Sequence, residues 1–220
     1  MVVTREQAPR QRRQRRSSDD VHAALLESAS LVFARRGYSG ATTTEIARLA
    51  ATPPATVYRR FGSKEALFTA AVVEPFLDFL ADYTGEYQAL ISDGADPAKD
   101  YRAIYGPSIA SLYDHLSNKS YAVLALISAI GDPEAAGPVQ DAVARMNAMF
   151  TEFNQLSVDH WKRSGQAYDI RDAQLWVRLI TGLVIGVTAL APLLLPEGLY
   201  RPDRGELIGL MTRMITEGIG

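Results

Sequence analysis

Between Gly37 and Lys64 the chain reads GYSGATTTEIARLAATPPATVYRRFGSK, and its capping and breaking residues cut the stretch into short helices. Thr42 followed three residues later by Glu45 is a capping box, in which the threonine oxygen accepts an orphan amide and the glutamate reaches back. A helix is therefore expected from Thr43, with Ile46, Ala47, Leu49 and Ala50 on its apolar side. It stops at Thr52-Pro53-Pro54, because proline breaks a helix interior but fits a first turn. A second short helix runs from Pro53 to Arg60, with Val57 and Phe61 at i, i+4 facing inward. Gly62 ends it, and Ser63 is placed to cap a third helix with Lys64 in its first turn. A helix N-terminus favours anions, so a lysine gains nothing there from the macrodipole. Attraction of a phosphate is the better reason for Lys64.

The net charge of −2 over 220 residues hides an asymmetry. Residues 1–64 hold 12 Lys and Arg against 5 Asp and Glu, while residues 65–220 hold 11 against 20. The basic end coincides with the short helices, which is the electrostatic footprint of nucleic-acid binding. The acidic remainder argues against a second such surface. Residues 1–18, MVVTREQAPRQRRQRRSS, are a basic arm with little apolar surface to bury, expected to be disordered when free. Arg15 and Arg16, nearest the first helix, are candidates for minor-groove or flanking phosphate contacts, as in homeodomain arms. The alternative is a solvated tail. No apolar run follows, so the arm is not a secretory signal.

The pattern Gly37-Tyr38, Thr42-Thr43, Ile46-Ala47, Ala50, Thr56-Val57-Tyr58, Phe61 and Ser63-Lys64-Glu65-Ala66-Leu67 resembles the N-terminal domain of the TetR (tetracycline-repressor) family of transcriptional regulators. The resemblance covers roughly the first third of the chain. It implies a homodimer on a palindromic operator in double-stranded DNA, with the second helix of a helix-turn-helix in the major groove and a small-molecule effector bound in a C-terminal domain. Carried over, Thr42, Thr56, Tyr58 and Lys64 fall on the family's usual phosphate-contacting positions. Thr43 and Arg59 join them as candidates, and the small Thr52, Pro54 and Ala55 could meet thymine methyls. Arg48 and Arg60 are further cations whose alternative is plain surface charge. Two departures stand out: Ala51 where the family's turn usually has glycine, and Pro53 in place of the usual serine cap.

The chain reads as all-α: a three-helix DNA-binding domain over 19–64 and a helical effector-binding and dimerisation domain over 65–220. Asp19 to Arg36 is the covering helix, ended at Gly37, with Phe33 and Phe61 as anchors of the small core. A helix over Ser63 to Val73 joins the two parts. Gly106-Pro107 predicts a kink or break within Tyr101 to Leu116, and a long helix runs from about Pro138 to Ser164. The last helix begins with Asp203 and Glu206 at capping-box spacing. Trp176 to Leu195 is nearly all apolar, yet it holds Arg178 and ends near Pro192, so burial against a second copy fits better than a membrane. The economical arrangement pairs this helix and the Pro138 to Ser164 helix with their twofold copies. Gly182 and Gly186 would permit close approach, either there or inside one subunit.

Covalent chemistry finds no support. There is no cysteine, which fits a reducing cytoplasm, and His22, His115 and His160 show no metal-ligand spacing. No nucleophile or cofactor fingerprint occurs, so neither enzyme activity nor a cofactor or metal is expected. Tyr83, Tyr87, Tyr105, Tyr113, Phe150 and Trp176 are candidates to line an apolar effector pocket, with core packing as the alternative for each. No arginine or lysine recurs among them, which favours a hydrophobic or aromatic ligand. Two other readings stay open: a nonspecific or architectural DNA-binding protein, and a helical small-molecule-binding protein without a DNA role.

Overall fold

Ser17 caps the first helix: its hydroxyl accepts from the Asp20 amide and the Asp20 carboxylate accepts from the Ser17 amide, each at 3.0 Å. Ser17 and Ser18, grouped by sequence with the basic arm, thus belong to the cap and first turn of α1 (Ser18–Gly40). The structure, a computed structural model, describes residues 17–92, 101–118, 120–163, 170–195, 198 and 200–217. Arg15, Arg16 and the rest of the arm lie outside the described residues.

Gly37, at φ 68° and ψ 177°, breaks α1 in a conformation that costs glycine little. The turn it makes folds Tyr38 back onto Phe33, with ring centroids 5.8 Å apart, and the Phe68 ring meets both edge-on at 5.0 and 5.1 Å. Phe33 and Phe68 are fully buried. Phe61, expected as the second anchor, is only half-buried and stacks instead on His22 at 5.3 Å.

Next come α2 (Thr43–Leu49), α3 (Pro54–Phe61) and α4 (Lys64–Phe68). The helix then continues through a π-helical turn, Thr69–Val73, into α5 (Glu74–Ser92), and the Glu74 amide bonds to the Thr69 carbonyl five residues back. The body is completed by α6 (Tyr101–Asn118), α7 (Ser120–Ala129), α8 (Ala136–Arg163), α9 (Ile170–Ala189), α10 (Ala191–Leu194) and α11 (Arg204–Glu217). No strand occurs among the described residues, and the all-α class stands.

Two expected boundaries moved. Gly106-Pro107 does not break α6: Pro107 is exposed, while Ser108 and Ile109 behind it are buried, so packing outweighs one missing hydrogen bond. The apolar run ending near Leu195 is instead interrupted at Leu190, ahead of Pro192 at the start of α10. At α11 the Asp203–Glu206 capping box forms in both directions at 2.8 Å.

The helix α1 lies along α7, and α6 packs against α5, α7, α9 and α11. Most buried apolar residues from Leu25 to Ile215 form one cluster, with Tyr87 and Phe153 apart, so the core extends to both sides of the boundary at residues 64 and 65. Arg145 of α8 makes a two-pronged ion pair with Glu74 at 2.8 and 3.0 Å, and Arg204 of α11 does the same to Asp114 of α6 at 2.6 Å. These hydrogen bonds hold the Glu74 and Asp114 carboxyls below their ordinary pKa, so the stabilisation is complete near neutrality and fades as pH falls through the depressed values.

The outer side of α8 is polar, carrying Gln140, Asp141, Asn147, Thr151 and Gln155 with Val143 as its large apolar exception. Exposed apolar side chains lie on α9 and α11 instead: Leu175 and Leu179 on one, Leu210 and Met214 on the other. A Cβ added at Gly182 or Gly186 would meet nothing within 4 Å, so neither glycine serves close packing inside the subunit.

Phe33→Ala should cost about 3 to 5 kcal/mol of stability by emptying the centre of the aromatic trio, measured as a shift in urea midpoint at constant slope.

Candidate nucleic-acid interface

Thr42 caps α2 by accepting the Glu45 amide at 3.1 Å. The Glu45 carboxylate turns to Arg36 of α1 at 3.6 Å, so the second arm of the expected box is spent on an interhelix ion pair. At its other end, α2 closes in a Schellman motif: the Thr52 amide bonds to Ala47 O at 2.9 Å and the Ala51 amide to Arg48 O at 3.2 Å. This motif needs a left-handed residue just past the cap, and Ala51 takes it, at φ 52°. The departure from glycine therefore leaves the turn shape intact but strained by about 1 kcal/mol. Pro53 offers no side-chain cap; its carbonyl accepts the Thr56 amide at 2.9 Å, and proline's fixed φ starts α3.

Thr42, Pro54, Ala55, Tyr58 and Arg59 are exposed, Tyr58 at 55%. Thr52 and Lys64 are half-buried. Thr43 and Thr56 are only 8% and 6% exposed. The first turn of each short helix faces the core at these positions, and the hydroxyls find partners within the protein. Thr43 Oγ1 donates to the Tyr58 hydroxyl at 3.1 Å, and Thr56 Oγ1 accepts from Arg59 Nη2 at 3.3 Å. Thr43 thus orients Tyr58: the phenol oxygen accepts inward, and its own proton remains available to a phosphate oxygen. Arg60 is a framework residue as well, donating from Nη2 to Ser18 O and Oγ at 2.9 Å.

Ser63 caps α4 by accepting the Ala66 amide at 2.9 Å, and Gly62 before it supplies φ 79°. The Lys64 ammonium stands 4.6 Å from the Tyr38 ring centroid and donates to Ser39 O at 3.3 Å. One of its three donors is thereby used and two remain. Ser39 went unnoticed in the sequence, since nothing local distinguishes a serine in the last turn of a helix.

The aromatic candidates in the body that the structure describes pack against other side chains. Tyr83 stacks on Phe153 at 5.9 Å and Tyr87 meets the same ring tilted at 4.3 Å, and burial raises the Tyr83 pKa above its ordinary value. Tyr105 packs against the main core. Tyr113 lines a cavity of about 280 Å³ with Val187 and Leu207. Phe150 is buried beneath the Arg178 guanidinium, 4.9 Å from its ring centroid, so a cation does sit among these aromatics. The Trp176 side chain lies outside the described residues. A larger groove of about 460 Å³ opens where head meets body, lined by Leu26, Glu27 and Ser30 of α1, Ala71, Pro75 and Tyr121.

Two short helices joined by a tight turn, with Tyr58 and Arg59 exposed on the second and Lys64 opening the next, make a helix-turn-helix head of the kind carried by DNA-binding regulators. Residues 25–71 match the family model for bacterial regulatory proteins of the tetR family. The likeness to that family therefore lies in the helix-turn-helix head. No curated protein matches the sequence. Among solved structures it is similar to a Clostridium perfringens protein with a proposed role as a fatty acid metabolism regulator, at TM-score 0.70 and 20% identity over 90% of this chain and 98% of that one. It is also similar to the regulator FadR of Bacillus subtilis, solved with stearoyl-CoA, at TM-score 0.62 and 14% identity over 90% and 100% of the two chains. A third likeness is to PfmR of Thermus thermophilus, a TetR family transcriptional regulator, at TM-score 0.62 and 15% identity over 87% and 92%.

Ala51→Gly should raise stability by up to about 1 kcal/mol, the strain released being partly offset by the added freedom of the unfolded chain. Thermal unfolding of the two proteins side by side checks it.

Proposed function

We propose that this chain is a homodimeric repressor that binds a palindromic operator through residues 19–64 and is released by a small hydrophobic or aromatic ligand bound in residues 65–220. Its proposed place of action is the cytoplasm. The observation that carries the DNA-binding part is the exposed Tyr58 phenol, oriented by buried Thr43, in a head whose sequence is basic. Exposed Thr42 and Arg59 and the two free donors of Lys64 supply further phosphate contacts, and Pro54, Ala55 and Thr52 offer small apolar surfaces for base edges. Arg15 and Arg16 are proposed to add contacts from the arm. Buried Thr56 is left with a framework role.

Dimerisation is assigned to α9 and α11. On α9, Leu175, Leu179, Gly182 and Gly186 recur at helical spacing, so leucines would pack while the glycines let two backbones approach. The ligand reading is supported by the mainly apolar body and by the all-helical likeness to a regulator solved with an acyl-CoA. Within the body, Tyr83, Tyr87, Tyr105, Tyr113, Phe150 and Trp176 are proposed as ligand neighbours, with Arg178 as the charged group among them.

Gel shifts against the chain's own promoter region, with and without long-chain acyl and aromatic compounds, test the whole scheme. The palindrome should be preferred over random duplex by roughly 10³ or more, and an effector should lower that affinity. Equal binding to every duplex would instead favour an architectural protein. Leu179→Glu should convert the dimer to a monomer in light scattering at micromolar concentration, because it places a charge in the proposed contact.

A further inference from the structure

Ser39, in the last turn of α1, and Asp132, in the turn between α7 and α8, lie 93 residues apart and join head to body. The Ser39 amide donates to Asp132 Oδ2 at 2.9 Å, and the Ser39 hydroxyl lies 2.7 Å from each carboxylate oxygen. On its other side, the Ser39 carbonyl accepts from Lys64 Nζ. One residue is therefore held by the body through its N–H and O–H while it holds a lysine of the head through its C=O. Asp132 is itself fixed, because Oδ1 also accepts the Glu134 amide at 3.0 Å and caps the turn Pro133–Ala135. Hydrogen bonds from Ser39 lower its pKa, and Lys64 contributes in the same direction.

We infer that Asp132 is a positioning residue for DNA binding: through Ser39 it sets where the Lys64 ammonium stands, giving the body control over a phosphate contact of the head. The inference rests on the proposed DNA-binding role of Lys64. Without the carboxylate, the Ser39 amide and hydroxyl lose their acceptor, the end of α1 loosens, and the carbonyl that steers Lys64 moves with it. The ammonium keeps its charge but loses its address.

The test compares full-length wild type, Asp132→Ala, Asp132→Asn, Lys64→Met and the double variant on a fluorescent duplex of the chain's own promoter palindrome over a salt series. Asp132→Ala should bind about tenfold more weakly, with a slope of log K against log salt shallower by about 0.9, the share of one phosphate contact. It should cost nothing further in the Lys64→Met background, because both act through one contact. Asp132→Asn, which keeps one acceptor oxygen, should fall between. Exchange of the Ser39 amide in the free protein should accelerate in Asp132→Ala. Unchanged exchange there, affinity lost at an unchanged salt slope, or losses that add fully to Lys64→Met would each overturn the inference. A wild-type chain that ignores the palindrome would sink the DNA-binding reading instead, and Ser39 exchange would still report on the joint.

Discussion

The edge-to-face contact of Phe68 with Phe33 and Tyr38 is the constraint on which the rest of the head depends. Such ring pairs contribute about 0.5–1.5 kcal/mol each beyond the area they bury, but their larger effect here is geometric. Phe33 belongs to the straight part of α1, Tyr38 to the turn after Gly37, and Phe68 to the end of α4, so the three rings fix the angle between the covering helix and the helix leading to the body. The Tyr38 ring then offers a face to the Lys64 ammonium. Only a left-handed residue at Gly37 lets the chain double back soon enough for Tyr38 to reach Phe33. The short helices α2 and α3 hang from this frame through Arg36–Glu45, Arg60–Ser18 and the His22–Phe61 stack.

Much of this frame was legible because the determinants are local. Thr42, Ser63 and Asp203 each cap a helix within three residues of themselves, and Gly62 stops one, so sequence spacing suffices to find them. What escaped notice depends on which way a helix is turned. Thr43 and Thr56 look like exposed hydroxyls by type, yet α2 and α3 pack those faces inward, and an eight-residue helix has too few apolar positions to fix its own rotation. Pro107 misled for a related reason: a local rule predicts a break, but the buried residues that follow the ring decide the outcome. Ser39 and Asp132 were invisible as a pair, since their contact exists only after α1 has docked on α7. The same holds for Arg178 over Phe150, where residues 28 apart in sequence meet between α8 and α9.

The passage from head to body is a single helix interrupted by the π-helical turn Thr69–Val73, and that turn is held from both sides. On the α1 side, Ser30 Oγ lies 2.7 Å from Ala71 O and 3.1 Å from Leu26 O. A hydroxyl has one proton, so it serves one carbonyl at a time. If α5 drew away from α1, Ser30 could fall back on its own helix, and the cost of separation would be reduced by that second bond. On the α8 side, Arg145 grips Glu74, the first residue after the turn. Wide turns of this kind recur at functional sites because they accept a small register change without breaking the helix.

These contacts constrain how a ligand in the body could act on an operator. The buried cluster runs unbroken from Leu25 to Ile215, and interiors packed at crystal-like density move as blocks rather than deforming smoothly. A change inside α2 or α3 would have to undo the Schellman turn, the Thr43–Tyr58 bond and the Arg60–Ser18 bond together. Displacing the whole head leaves those bonds intact and instead needs α1 to shift along α7, with a slip at Thr69–Val73, a switch of the Ser30 proton and a shift at Ser39–Asp132. In a twofold dimer, the same small slip in each subunit changes the spacing of two rigid heads. Palindromic DNA reads that spacing directly, because its half-sites are fixed by the helical repeat. Ligand and operator would then oppose each other by the same factor in either order of binding. The contact surface itself would stay unaltered.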